Sequence, residues 1–391
     1  MSFRLVPAAR QPAVAGALAA LLLGANLAAP LYAVYRERFG FDSLVLTLVF
    51  AVYALALAPS LLLFGELSDR IGRRPVILGG LVMGTLALLL FALATSVVWL
   101  FAARIVQGVS VGMAGGAATA ALVELDPLGD GRHAALLSTL AQTLGGGIAP
   151  VVTGVLAQWA PAPRVLCYVV GMVACVTAAG LLLAMPEPGR PRGGGWSVPR
   201  PSVPRDIRGA FARVAMTGAA VWAVIALFFS VVPSFASERL STGNLAVLGA
   251  ISSLALICSS IAQVASRDRV EPRIAQAVGL ALLTAGLGAL ALASVSDHAV
   301  VLLAASVLAG TGHGLAFLGA QDDLNRIAPP ERRGEINAAF YTCIYIGIAV
   351  PVIGVGVLAD LSSLVTAVNV FAAVIGTAAV AAALWHVAAR R

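Results

Sequence analysis

Twelve long apolar runs dominate this chain and leave few folds open to it. They fall at roughly 12–35, 44–64, 75–95, 98–123, 134–159, 164–185, 211–232, 244–264, 274–294, 299–320, 335–358 and 363–387. Each is about 20 residues or longer. At ~1.5 Å rise per residue, a helix of that length crosses the ~30 Å hydrocarbon core of a bilayer. Within lipid only helices and closed barrels satisfy their own backbone polar groups, and runs of this length are helices. Charged residues make up 11% of the 391 positions, against about 25% in soluble domains. So few charges cannot coat a water-exposed surface of this size. The expected fold class is therefore an all-α polytopic membrane protein with 12 transmembrane helices. The first run follows Arg4 and Arg10 and invites a signal-peptide reading. It is longer than the roughly 7–15 residues of a cleaved apolar region, so it is read as the first helix.

The formal net charge of +7 comes from 25 basic residues, all of them Arg. They lie almost entirely between the apolar runs, which speaks for a basic membrane flank and against nucleic acid. With the N-terminus inside, 20 Arg fall on cytoplasmic segments and four (Arg36, Arg38, Arg164 and Arg239) on outer loops. Arg104 lies inside the fourth run. This asymmetry predicts a multi-pass protein with both termini cytoplasmic. Arg-only usage with abundant Ala looks like a GC-rich bacterial genome, so the expected location is the bacterial inner membrane. The cysteines Cys167, Cys175, Cys258 and Cys343 all lie inside apolar runs without CxxC spacing. They read as small buried hydrophobes, with no disulfide or metal site inferred.

One connection differs from the rest. Residues 186–210 are rich in Pro, Gly and Arg, a composition suited to a flexible linker near anionic lipid. It divides the chain into an N-terminal six-helix bundle (1–187), a cytoplasmic linker (188–210) and a C-terminal six-helix bundle (211–391). The halves echo each other at an offset of about 200 residues. Asp69-Arg70 matches Asp268-Arg269, and Gly108xxxGly112 matches Gly310xxxGly314. Arg132 matches Arg333, and Gly146xxxPro150 matches Gly347xxxPro351. Parallel repeats of this kind place a substrate site between pseudo-symmetric halves, near the bilayer midplane.

The strongest motif is Gly65-Glu66-Leu67-Ser68-Asp69-Arg70-Ile71-Gly72-Arg73-Arg74-Pro75, between the second and third runs. Physically it reads as a tight turn with two glycines, Pro75 opening the next helix. It resembles the G-x-L-x-D-R-x-G-R-R signature of the major facilitator superfamily at every fixed position, within a twelve-helix bacterial type similar to the drug:proton antiporters. Helix count, linker and repeat extend the resemblance over the whole chain. It implies a gating role for Gly65, Asp69, Arg70, Gly72, Arg73 and Arg74, with Asp69 meeting the N-terminal end of the eleventh helix, where its dipole favours a carboxylate. A merely solvated charged loop is the plainer alternative.

The fourth run carries Leu100xxxArg104xxGln107-Gly108. Arg104 and Gln107 share a helix face. A charge in hydrocarbon costs at least ~2.5–3.5 kcal/mol, so it should face the bundle and be paired; outward snorkelling is the alternative. The family's corresponding Arg is associated with proton coupling. Gly108 and Gly112 read as helix packing. Gln142, Gly146, Pro150 and Gly154 share one face of the fifth run and resemble a degenerate form of the antiporters' Gly-Pro motif, Ala149 standing where Gly is expected.

The remaining polar residues within runs are few. Asn26 is placed near the middle of the first helix and Tyr53 in the second. Asn337, Tyr341 and Tyr345 form a stripe in the eleventh, and His313 lies between glycines in the tenth. Asn26, Tyr53, Gln107, Gln142, Asn337, Tyr341 and Tyr345 are the expected substrate pathway, and Arg104 and His313 the expected proton-coupling residues. For each, a satisfied interhelical hydrogen bond is the bland alternative. No Asp or Glu lies in the centre of any run, so neutral or anionic cargo fits at least as well as cationic. The expected function is secondary active, proton-coupled efflux of small amphipathic molecules by rocking of two bundles, with H+ as coupling ion and no cofactor. The alternatives are an importer or facilitator of a specific metabolite, and a non-transporting membrane sensor. No nucleotide loop, metal cluster or catalytic triad is present in the sequence, so no enzyme is expected. The expected partners are a small-molecule substrate and the bilayer, with a monomer as the working unit.

Overall fold

The computed structural model describes residues 5–126, 132–189, 201–267, 269–296, 298–329 and 332–388. All regular structure among them is helical. The helices are α1 (Pro7–Asn26), α2 (Tyr32–Phe39), α3 (Ser43–Ile71), α4 (Arg73–Ala92), α5 (Val97–Glu124), α6 (Arg132–Gln142), α7 (Ile148–Trp159) and α8 (Leu166–Leu183). They continue as α9 (Arg208–Ser230), α10 (Val232–Arg239), α11 (Leu245–Ser266), α12 (Pro272–Leu292), α13 (Ala299–Ile327), α14 (Arg333–Leu361) and α15 (Leu364–Ala388). By length and composition they provide 12 candidate membrane spans.

Three spans are interrupted, each for a local reason. In the first, Pro30 cannot donate to the carbonyl four residues back. The chain passes through a 3₁₀ turn at Ala29–Leu31 before α2. In the fifth, a π-turn at Thr143–Gly147 separates α6 from α7. Three successive glycines there have low helix propensity, and Pro150 leaves the Gly146 carbonyl without its usual donor. In the seventh, Pro233 does the same after α9, and α10 starts afresh.

The chain forms two compact units. One comprises 1–31 and 52–199, the other 32–51 and 200–391. The division near 199 falls within the Pro/Gly/Arg-rich connection, of which 190–200 lie outside the described residues. So do Arg4, Asp268 of the second-half echo, Arg390 and Arg391. Helix α3 runs through the boundary at Ala51 and Val52.

Within each unit the glycine stripes lie where helices approach closely. A methyl on Gly108 would meet the Tyr53 carbonyl at 2.5 Å, and one on Gly112 the Ser60 side chain at 2.6 Å, so α5 lies directly on α3. In the second unit Gly310 and Gly314 press against the Ala255 and Ser259 carbonyls, so α13 lies on α11. Backbones this close gain dispersion contacts where lipid offers no hydrophobic drive. The internal repeat is thus visible as one packing motif used twice. Gly146, Pro150 and Gly154 are also buried.

Candidate functional site

The signature segment differs from the tight turn expected of it. Residues 65–71 continue α3 as helix, α4 begins at Arg73, and only Gly72 forms the turn. Gly72 has φ +103° and ψ 159°, a conformation essentially confined to glycine. Pro75 is therefore the third residue of α4 rather than its opener. A Cβ on Gly65 would meet nothing within 4 Å, so that glycine serves no close approach.

Around this turn lies a dense polar cluster within the first unit. Arg73 pairs with Asp69 one turn back and with Glu124 at the end of α5, Nη2 to Oε1 2.9 Å. Its Nη1 also donates to Ser68 Oγ at 2.7 Å. Glu187, just after α8, accepts from the backbone N–H of Arg73 at 2.5 Å and of Arg74 at 3.2 Å. A carboxylate at those free N–H groups caps α4 and meets the positive end of its dipole. Arg74 donates to the Leu183 carbonyl at 2.7 Å, and Arg70 pairs with Glu66. Three Arg, four acids and one glycine thus tie together the ends of α3, α4, α5 and α8.

Arg104 faces inward, with 2% exposure, and does not snorkel. Its Nη1 donates to the Ala25 carbonyl at 3.0 Å and to Gln107 Oε1 at 2.6 Å. Gln107 Nε2 donates in turn to the Gly24 carbonyl at 2.9 Å. The guanidinium lies 5.3 Å from the Tyr53 ring centroid and 5.8 Å from that of Phe91. The terminal carbonyls of α1, which have no helical donor, are therefore held by a cation and an amide from α5. Gln107 is committed to this clamp rather than open to cargo. Asn26 is also placed differently from its expected position. It ends α1, and its Nδ2 donates to the Leu22 carbonyl at 2.9 Å.

In the second unit His313 is 1% exposed. Its Nδ1 lies 2.7 Å from Ser259 Oγ, which also accepts from Gln263 Nε2 at 3.1 Å. Trp222 meets the imidazole edge to face, with centroids 5.1 Å apart, and Phe317 stacks on it at 5.6 Å. Tyr341 accepts from Gln321 Nε2 at 3.2 Å and stacks on Tyr345 with centroids 6.3 Å apart. This brings together two members of the expected stripe; Asn337 lies on the same helix, half-buried. Gln142 donates to Ser138 Oγ at 3.3 Å, at the end of α6.

The sequence profile of the Major Facilitator Superfamily matches residues 14–352. The chain belongs to the Major Facilitator Superfamily. Members of this family are transporters, not enzymes, and the 12 candidate spans make the chain a multi-pass inner-membrane protein. It is 28% identical over 246 residues to the multidrug resistance protein MdtM of Escherichia coli strain K12, covering 57% of each chain. The match thus spans little more than half of that relative. Among solved structures it is similar to the nucleoside transporter NupG (TM-score 0.74, 14% identity, 97% of this chain and 98% of that one). It is also similar to a D-xylose–proton symporter (TM-score 0.73, 17% identity, 96% of each). These structural likenesses describe the fold.

Two features of this transporter escape a reading of the sequence alone. The first is a buried polar knot near one end of the second unit. Arg213 of α9 faces Asp323 of α13, Nη2 to Oδ2 3.9 Å, with both side chains less than 8% exposed. Gln276 of α12 donates to the same oxygen at 3.4 Å. His386 of α15 lies 3.0 Å from Thr217 Oγ1, which donates to the Arg213 carbonyl. Asp323 is the one carboxylate in the buried class among the described residues. The repeat gave no signal for this knot: with Gly108 aligned to Gly310, Glu124 falls on Arg326 rather than on Asp323. The second feature joins α3 to the end of α14, also within the second unit. Asp360 accepts from the N–H groups of Ser43 and Leu44, both at 2.9 Å, and so caps α3 from another helix. Gly356 lets the two backbones close against Thr47 and Ser43.

Proposed function

We propose that this protein is a proton-coupled secondary exporter of small amphipathic molecules, working as a monomer by rocking of two bundles, with both termini cytoplasmic. The observation that carries the reading is Arg104. It is a fully buried guanidinium in the fourth span, held by the last carbonyls of α1 rather than left to lipid. A guanidinium keeps its proton, so Arg104 acts as a fixed cation, and its hold on α1 is the part that switches. His313 is the mid-span group able to take a proton, at Nδ1, once Ser259 releases it. The cluster around Gly72 acts as the cytoplasmic gate, and the Asp69–Arg73 pair is the contact that breaks when it opens. Similarity to a protein named for multidrug resistance supports export. Absence of mid-span acids supports the competing reading, uptake of a neutral or anionic metabolite.

The test is proton flux in energised inside-out vesicles during addition of ethidium, chloramphenicol and fusidate, with Arg104→Ala alongside. Export predicts that at least one compound collapses the pH gradient in the wild type and none does in the variant. Silence toward all three, with folded protein in the vesicles, overturns proton-coupled export. Substrate-dependent uptake of a nucleoside or sugar would then establish the competing reading.

A further inference from the structure

Among the side-chain atoms of the second bundle that are shut off from solvent without a hydrogen-bond partner are the ring nitrogens His313 Nε2 and Trp222 Nε1. We assign the imidazole hydrogen to Nε2, the tautomer in which the Ser259 hydroxyl donates to Nδ1. Gln263 Nε2 donates to Ser259 Oγ. The Ser259 hydroxyl hydrogen is then the one available to the 2.7 Å contact with His313 Nδ1. Nδ1 accepts, so in the neutral ring Nε2 bears the hydrogen. Trp222 can only donate. The cluster therefore presents two donors and no free acceptor. A buried donor left unmatched is costly, so such a pair suits a group that arrives with acceptors.

Its placement fits a visiting group better than a structural one. His313 sits at the centre of the 29-residue α13, and Trp222 lies well inside α9. Substrates of repeat-built transporters bind near this depth. Trp222 is only half-buried, so its ring has an open side. Phe317 stands edge-on to Trp222 at 5.5 Å and stacks on His313, completing an apolar wall around the donors.

We infer that His313 Nε2–H and Trp222 Nε1–H form a two-donor subsite for a hydrogen-bond acceptor on the cargo, a carboxylate or carboxamide attached to an apolar body. The inference rests on the transporter reading above, though not on the direction of transport or its coupling to protons. A cation without acceptors gains nothing from two N–H dipoles aimed at it.

The experiment is equilibrium binding to the full-length protein in lipid–detergent micelles, with no gradient applied. The probes are 1-naphthoate, 1-naphthamide and 1-naphthyltrimethylammonium. The two acceptor-bearing probes should bind at least about tenfold more tightly than the ammonium compound. That preference should fall about tenfold in Trp222→Phe and in His313→Phe, the scale of one lost hydrogen bond. It should return in His313→Gln, which restores an N–H. Equal affinity for the ammonium compound, no binding of either acceptor-bearing probe, or a preference unchanged in both Phe variants each overturns the subsite. Vesicle flux reads the transport hypothesis separately, so one can fail without the other.

Discussion

Gly72 and Gly65 belong to the same motif and do different work. A side chain at Gly72 would need a backbone conformation costing about 1–3 kcal/mol, and its Cβ would meet the Glu187 carboxylate at 2.7 Å. Gly72→Ala should lower stability by at least that amount in thermal unfolding of the purified protein. Gly65 lies inside α3 with open space beside it. Gly65→Ala should raise helix stability by about 0.5–1 kcal/mol, and a loss of the same size would show that the segment bends in solution. The motif was legible as a string of residues. Its division into two helical stretches around the single turn residue Gly72 was not, because Asp, Ser and Gly favour turns locally and the long α3 overrides them. Arg104 was legible in a stronger sense, since the cost of a charge in lipid left it only inward or snorkelled positions. Asn26 was misplaced because the first helix begins at Pro7 and stops before Pro30.

Two helix starts in this protein are finished by acids supplied from elsewhere in the fold. Glu187 caps α4, and Asp360 caps α3 with two bonds of 2.9 Å. A cap of this type contributes about 1 kcal/mol. Asp360→Ala should therefore speed hydrogen exchange of the Ser43 and Leu44 amides by several-fold while leaving amides deeper in α3 unchanged. Equal exchange in both proteins would mean the cap is made by water. The twelve runs announced the spans because lipid demands apolar length. The breaks at Ala29–Leu31 and Thr143–Gly147 were hidden inside them, since a hydropathy window averages over a single non-helical turn. Pro30 and Pro150 mark both places. A proline inside a transmembrane helix is common enough, however, that it points to a kink without fixing its form.

Across the molecule, the two halves place their charges in unequal ways. The first half gathers Arg73, Asp69, Glu124 and Glu187 at a partly exposed turn, whereas the second buries Arg213 and Asp323. Removing one partner of a buried pair strands the other charge and typically costs 3–5 kcal/mol; replacing both by apolar residues is often neutral. Asp323→Leu should thus be strongly destabilising, and Arg213→Met with Asp323→Leu should recover most of the loss in a double-mutant cycle. Additive losses would show that the 3.9 Å pair has no energetic coupling. This knot escaped the sequence because Arg213 counts equally well toward a basic cytoplasmic flank, and nothing in hydropathy separates a buried charge near a span end from a solvated one. The Arg asymmetry itself leads to a whole-molecule expectation. A fluorescent protein fused after Arg391 should light up, because it folds in the cytoplasm, whereas fused alkaline phosphatase should stay inactive. The reverse pattern would invert the topology. Finally, α3 carries the residues gripped by Asp360 at one end and the Asp69–Arg73 pair at the other, along 29 unbroken residues. The two ends are geared like the teeth on one shaft. Inserting a single alanine between Leu46 and Thr47 turns Ser43 and Leu44 about 100° and advances them ~1.5 Å relative to Thr47, so the Asp360 cap and the Gly356 contact cannot both be kept in register. The phase of this shaft, and not only the identity of its residues, is therefore under constraint.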